Sequence, residues 1–236
     1  DPATFSRSGH LQTFSLPGGD KAIREPWRIG AGLLRDCYGE GWQDYARKLA
    51  LCNDQTQYEL LDQVMHKNLN CPRTTSLGRL FDAVSALCGI RRVTSYEGQA
   101  AIELEAAATF DTDLVLPYDI IENNDVFIFD FHTMLQRLVE DLSAQKETEL
   151  LPRAFHNTIC HALTAMAEKI KTKTALNRIA LSGGCFQNRL LLESCINMLQ
   201  QKGFEVYAHH NVPTNDGGVS LGQAVIAGTR IKQGLE

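Results

Sequence analysis

Two glycine turns hold the residues of this 236-residue sequence whose types and spacing fit binding or catalysis. The first is Ser182-Gly183-Gly184, set between a β-type run at 178–181 and a helical pattern from Asn188. Backbone N–H groups without a neighbouring Cβ can approach a phosphate or a ribose there, at the positive end of the following helix. An ordinary tight strand-to-helix connection uses the same residues, and Asn188 fits either reading, as a helix cap or as a ligand contact. The second turn is Pro213-Thr214-Asn215-Asp216-Gly217-Gly218, which again leads into a helix. Asp216 can cap that helix through its carboxylate, or serve as a hard oxygen ligand for a metal. Two such turns at one end of a sheet would converge where open α/β folds bind ligands.

The remaining titratable residues offer less. His209 and His210 close the strand before the second turn and alternate between its faces, so at most one of them reaches that cleft. His156 and His161 stand five apart on a helix, off the i, i+4 spacing of a zinc pair, and His132 beside Asp130 reads as a helix start. Asp82, in Gly78-Arg79-Leu80-Phe81-Asp82, lies on an otherwise apolar helical face. A carboxylate tucked beside a core stripe needs a partner, which here is either Arg79 or a ribose diol. Glu103 reads from its spacing as a solvated charge beside Glu97 and Glu105. The seven cysteines, at 37, 52, 71, 88, 160, 185 and 195, include no C-x-x-C pair and read as reduced, mostly buried thiols.

These residues must be positioned by the elements around them. Gly, Pro and Ser, with Leu16-Pro17-Gly18-Gly19-Asp20, make residues 1–30 an irregular arm. Helical spacing follows at 27–51, as two helices broken near Gly39 and Gly41, and at 58–67. Ser76 caps a helix whose buried face is Leu77, Leu80, Phe81, Val84 and Leu87, closed by Gly89. After a turn at 96–99 comes a helix at 100–110, which completes a mainly helical part at 31–115. The part at 116–236 alternates: strand 125–130, helices at 131–142 and 153–171, strand 178–181, helix 188–201, strand 204–208, loop 212–218 and helix 219–231. The fold class is α/β, a sheet covered by helices with a helical insertion.

With 28 acidic against 23 basic side chains the formal charge is −5 and the pI about 5.8, which gives no footprint for nucleic acid or an anionic membrane. Apolar runs such as 126–129 fall far short of the roughly 20 residues that span a bilayer. The opening residues lack an initiator methionine and any signal-peptide pattern, so the sequence reads as part of a longer cytoplasmic protein.

Taken together, four blocks carry a resemblance that none carries singly. They are Leu16-Pro17-Gly18-Gly19-Asp20-Lys21-Ala22-Ile23-Arg24-Glu25-Pro26-Trp27-Arg28, residues 76–83, Leu181-Ser182-Gly183-Gly184-Cys185-Phe186-Gln187-Asn188-Arg189-Leu190, and Asn215-Asp216-Gly217-Gly218-Val219-Ser220-Leu221-Gly222-Gln223-Ala224. In this order, along the whole chain, they resemble the C-terminal part of the HypF family of hydrogenase-maturation carbamoyltransferases. Looser versions occur in threonylcarbamoyl-adenosine synthases and antibiotic O-carbamoyltransferases, all of the actin-like ATPase (ASKHA) superfold. The resemblance implies half of that superfold, with a mixed sheet, binding ATP or carbamoyl adenylate. It assigns the ribose hydroxyls to Asp82 and Glu103, and the adenosine and phosphate to Gly183, Gly184 and Asn188. Gly98 falls in the family's Tyr-x-Gly turn, although Gln99 stands where the synthases have a second glycine. Asp216 is implied as a ligand of a divalent metal, iron, zinc or magnesium.

The departure from the family pattern is equally informative. The H-x-x-x-H pair that completes the family's metal site is absent, so the chain is expected to carry one side of a cleft and one metal ligand, and to be inactive alone. In the complete protein the resemblance implies carbamoyl transfer to the C-terminal cysteine of the partner HypE, on the route to the cyanide ligands of a nickel-iron hydrogenase. The alternatives are a threonylcarbamoyl transferase acting on tRNA, against which the net negative charge and the Leu-Pro-Gly-Gly-Asp-Lys arm argue, a non-catalytic HypE-docking module and, more weakly, a sugar kinase.

Overall fold

The structure, a computed structural model, describes residues 5–52 and 54–234. In chain order its elements are β1 (Gly9–Leu11), β2 (Phe14–Ser15), α1 (Asp20–Arg24), α2 (Trp27–Tyr38), α3 (Trp42–Lys48), α4 (Gln55–His66), β3 (Arg73–Thr74), α5 (Leu77–Leu87), α6 (Gln99–Ala107), β4 (Asp119–Asn123), β5 (Val126–Asp130), α7 (His132–Ser143), α8 (Leu151–Thr174), β6 (Arg178–Leu181), α9 (Arg189–Gln201), β7 (Glu205–Ala208) and α10 (Val219–Lys232). Residues 1–4 of the expected arm and 235–236 of the expected α/β part lie outside the described residues.

The segment expected as an irregular arm is built into the fold instead. β1 pairs in parallel with β5, Gly9 opposite Phe127 and Leu11 opposite Phe129, and β2 pairs antiparallel with β3. Phe14 is fully buried, its ring edge-on to Phe131 at 5.6 Å, a burial that contributes about 1.5–3 kcal/mol. The composition of the segment hides this because its strand partners lie far along the chain, where no local pattern reports them.

β4 and β5 form a hairpin around Asn124-Asp125, both at positive φ, the geometry of a two-residue turn whose twist matches its strands. The three strands β1-β5-β4 make the mixed sheet. The second half supplies the expected β-loop-α unit, in which β6 and β7 pair in parallel, Arg178 opposite Glu205 and Leu181 opposite Ala208. Their loops therefore leave from the same end.

The core lies between the helices. Leu33 and Leu34 of α2 and Leu80 and Val84 of α5 are buried in one cluster, and Ser76 caps α5 through its hydroxyl. α8 is the longest helix, at 24 residues. It packs on α9, where Cys160 and Cys195 meet with 3.4 Å between their sulfurs, and its far end holds Lys173 on Glu122 at 2.6 Å and Asp125 at 2.7 Å, at the tip of the β4–β5 hairpin. α10 buries none of its side chains, and Leu221, Val225 and Ile231 stand exposed along it. No helix of the described residues is long and apolar enough to cross a membrane.

Candidate functional site

The parallel pairing of β6 and β7 delivers the two glycine turns side by side, and hydrogen bonds join them. Gly183 N–H donates to the Thr214 carbonyl at 2.9 Å, and the Thr214 hydroxyl donates to the Gly183 carbonyl at 3.2 Å. His209 Nε2 and Ser182 Oγ lie 2.9 Å apart. Between the turns opens a cleft of about 190 Å³, lined by Leu181, Phe186, Ala208, His209, Val212 and Pro213 among others. Gly183 adopts φ 106° and ψ 158°, a region essentially closed to residues with a Cβ. A Cβ placed on Gly183 or Gly184 would meet no atom within 4 Å, so the face over both glycines is open to an incoming group.

The turn at Gly184–Gln187 folds back on the start of α5, where Cys185 Sγ would sit 3.6 Å from a Cβ on Gly78. Asp82 lies one turn further along α5, only 3% exposed, with Arg79 Nη1 3.0 Å from its carboxylate. Of the two partners open to it in the sequence, the arginine is thus present. Burial nevertheless outweighs the arginine's attraction and pushes the Asp82 carboxyl up to about 6.

Glu103 is not the solvated charge that its spacing gives. Arg91 donates to both of its oxygens at 2.7 Å and Gln99 Nε2 donates at 2.9 Å, which together hold its carboxyl below the usual range. Gln99 also accepts from Ser95 N–H at 2.8 Å, so the residue standing in place of a second glycine ties down the turn. Gly98, at φ 78°, supplies the left-handed step that opens α6.

The first turn of α9 is where the structure departs most from the sequence expectation. Asn188 caps the helix, its Oδ1 accepting from Leu191 N–H at 2.8 Å. Its Nδ2 donates to His156 Nε2 at 2.9 Å, while His156 Nδ1 sits 2.7 Å from the Pro152 carbonyl. A carbonyl only accepts, so the proton belongs on Nδ1 and the bare Nε2 takes the amide. Burial, at 1% exposure, holds this histidine down to about 4 and therefore neutral. The two remaining amides, Arg189 N–H and Leu190 N–H, both donate to Glu105 Oε1, at 2.7 and 3.1 Å. The positive end of α9, read from the sequence as open to phosphate, is closed by the protein's own groups. His156 and Glu105 are the residues that sequence reasoning missed. Asn188's capping role was readable locally, but His156 stands 32 residues from Asn188, and Glu105 more than eighty from the amides it accepts, so neither left a spacing signal.

Asp216 opens a short turn, Asp216–Gly218, and is exposed. The cap there is made by Asn215, whose Oδ1 accepts from Gly217 N–H at 3.0 Å, so the Asp216 carboxylate is not the capping group. It offers one hard oxygen, yet the described residues gather no group of three His, Cys, Asp or Glu donors. Among the described residues Asp216 therefore has no companion ligands. His132 is held within its own helix start, its Nδ1 2.5 Å from Asp130 Oδ1.

The structure thus joins Gly183 to the Asp216 turn through Thr214, sets the Gly184–Gln187 turn against the start of the Asp82 helix, caps α9 with Asn188, and fixes the helix of Gly98 and Glu103 to α9 through Glu105. Residues 1–223 match the family described as the carbamoyltransferase, Kae1-like domain, second subdomain. The chain belongs to the HypF carbamoyltransferase family. It is 34% identical over 222 residues to the "Probable carbamoyltransferase HypF" of Methanocaldococcus jannaschii, covering 94% of this chain and 28% of that protein. Against "Carbamoyltransferase HypF" of Rhizobium leguminosarum bv. viciae it is 34% identical over 227 residues, covering 96% and 28%. The solved structure of full-length HypF in a phosphate- and nucleotide-bound form superposes with a TM-score of 0.89 at 36% identity, covering 96% of this chain and 29% of that one. The α/β fold with a mixed sheet is therefore that of a HypF segment, and the chain spans under a third of the length of these relatives.

Proposed function

We propose that this chain forms one side of the cleft in which a HypF carbamoyltransferase holds carbamoyl adenylate while its carbamoyl group passes to a thiol. The observation that carries the reading is the hydrogen-bonded junction of the two glycine turns, Gly183 to Thr214, at the shared end of β6 and β7. Open α/β sheets take their ligands at that end of the strands. A relative solved with phosphate and nucleotide bound supports the ligand class.

In this reading Asp82 and Glu103 accept from the ribose hydroxyls, the Gly98 turn sets the helix that carries Glu103, and Gly183, Gly184 and Asn188 line the adenosine and its phosphate. The acceptor is the C-terminal cysteine of HypE. Its thiolate sulfur attacks the carbamoyl carbon, the bond from that carbon to the phosphate oxygen breaks, and AMP leaves, so that a thiocarbamate remains on the cysteine. A thiol of ordinary pKa near 8.5 has a deprotonated minority at neutral pH, enough to react when it is held in line. The part of this chain is to fix the adenylate so that the carbamoyl carbon faces that sulfur. A divalent metal, iron, zinc or magnesium, held by Asp216 with ligands from a longer chain, would stabilise charge on the carbamoyl oxygen. With one such ligand the segment alone is not expected to turn over.

The acidic surface and seven free cysteines fit a cytoplasmic protein acting on a protein partner rather than on nucleic acid. The uncovered apolar side chains of α10 favour a second reading, a module that docks HypE without using its nucleotide residues. A calorimetric titration separates the two. ADP and ATP should bind saturably to the full-length protein, and Asp82→Ala and Asn188→Ala should each weaken binding at least tenfold, while wild-type affinity in both variants would leave only the docking module standing.

A further inference from the structure

Glu105 stands on α6, one helical residue pair beyond Glu103, and reaches across to α9, whose sequence lies more than eighty positions later. One of its carboxylate oxygens takes the amides of both Arg189 and Leu190, and Asn188 Oδ1 takes the next, at Leu191. Three consecutive donors of a 13-residue helix are thereby occupied. The open N-terminus of a helix draws anions because its unpaired amides and its dipole act together. Here the anion at that pole is a side chain of the protein. The glycine turn immediately upstream has the opposite character, with no atom within 4 Å of a Cβ position on Gly183 or Gly184.

We propose that Glu105 is a specificity-determining residue of the nucleotide cleft, one that fills the α9 amides, bars a nucleotide phosphate from them and so leaves the open glycine turns beside Asp216 as the phosphate side. The inference rests on the adenylate reading above and adds a direction to it. An adenylate drawn to α9 by its phosphate would carry its carbamoyl group away from the second turn. With the α9 pole filled, ribose and base are gripped by α5, α6 and Asn188, and the phosphate and its acyl group lie toward Thr214 and Asp216. Glu105 also binds the helix of Glu103 to the helix of Asn188, so the two halves of the proposed nucleoside grip keep a fixed spacing.

The test compares wild type, Glu105→Ala and Glu105→Gln in the full-length protein, titrated with adenosine, with AMP and with inorganic phosphate. Removing the carboxylate frees two amides at the helix pole, so Glu105→Ala should bind AMP about tenfold more tightly relative to adenosine, and inorganic phosphate should now compete with AMP. Glu105→Gln keeps an oxygen on both amides and should hold the AMP-to-adenosine ratio within about twofold of wild type. An unchanged ratio in Glu105→Ala, or a gain in Glu105→Gln as large as in Glu105→Ala, overturns the proposal. Should Glu105→Ala fail to fold, the structure of the wild-type protein with AMP decides, because phosphate in place of Glu105 on the amides of 189 and 190 overturns it and an undisturbed Glu105 upholds it. Failure of the wild type to bind adenosine at all sinks the adenylate reading and the role of Glu105 with it, whereas adenosine binding with an unchanged ratio sinks the role of Glu105 alone.

Discussion

In the proposed adenylate reading, Asp82 sets the terms on which a ribose would be held. Only the ionised carboxylate accepts hydrogen bonds at both oxygens, and burial keeps the group protonated up to about pH 6 despite the Arg79 guanidinium 3.0 Å away. The proton must leave before the ribose can be gripped fully, so affinity should rise as pH climbs through about 6 and fall below it. Adenosine titrations of the full-length protein from pH 5 to 8 should show that rise in wild type, and a flat, weaker profile in Asp82→Asn. A wild-type profile without a step near pH 6 would remove Asp82 from the ribose contact. The Arg79 pairing was readable in the sequence because i and i+3 on a helix are neighbours by geometry. The capping of α9 by Asn188 was readable for the same local reason. Glu105 and His156 were not, since each reaches its partner only after the chain has folded back.

The elements built on local rules are those the sequence reveals, among them the Ser76-capped α5, the broken pair α2 and α3, and the unit from β6 through α9 to β7. β1, β2 and β3 escape because two or three residues carry no period and their hydrogen bonds depend on strands elsewhere. β4 escapes because Asp119–Asn123 is largely exposed and ends in polar residues, although Asn124-Asp125 is itself a fair hairpin signal. The first glycine turn allows a sharper test of what its two glycines do. Gly183 lies in a backbone region that only glycine enters freely, so Gly183→Ala should cost about 1–3 kcal/mol with no steric clash to blame. Gly184 has a negative φ and open surroundings, so Gly184→Ala should cost a fraction of that. Thermal unfolding of the two variants gives the comparison, and equal losses would show that the strain at Gly183 does not hold the turn.

Across the whole molecule the burial is uneven. α2, α5 and α8 are lined with fully buried side chains, while β6 and β7 form a lone parallel pair and α10 leaves its apolar residues exposed. Alternation of strand and helix made the α/β class readable, but the division into three small sheets depends on which strands meet, which no single stretch of sequence encodes. Amide exchange of this 236-residue chain should therefore be slowest in α2, α5 and α8 and fastest in α10, with protection differing by orders of magnitude between them. Uniform protection through α10 would show that the helix is held by more than its own turns. α8 has one further consequence. Its first turns carry Pro152 and His156 beneath the Asn188 cap of α9, and its last holds Lys173 on the β4–β5 tip, about 25 Å from His156 along a continuous helix. A helix of that length behaves as a stiff rod, so a tilt forced on it where Asn188 grips His156 would swing the hairpin at the other end.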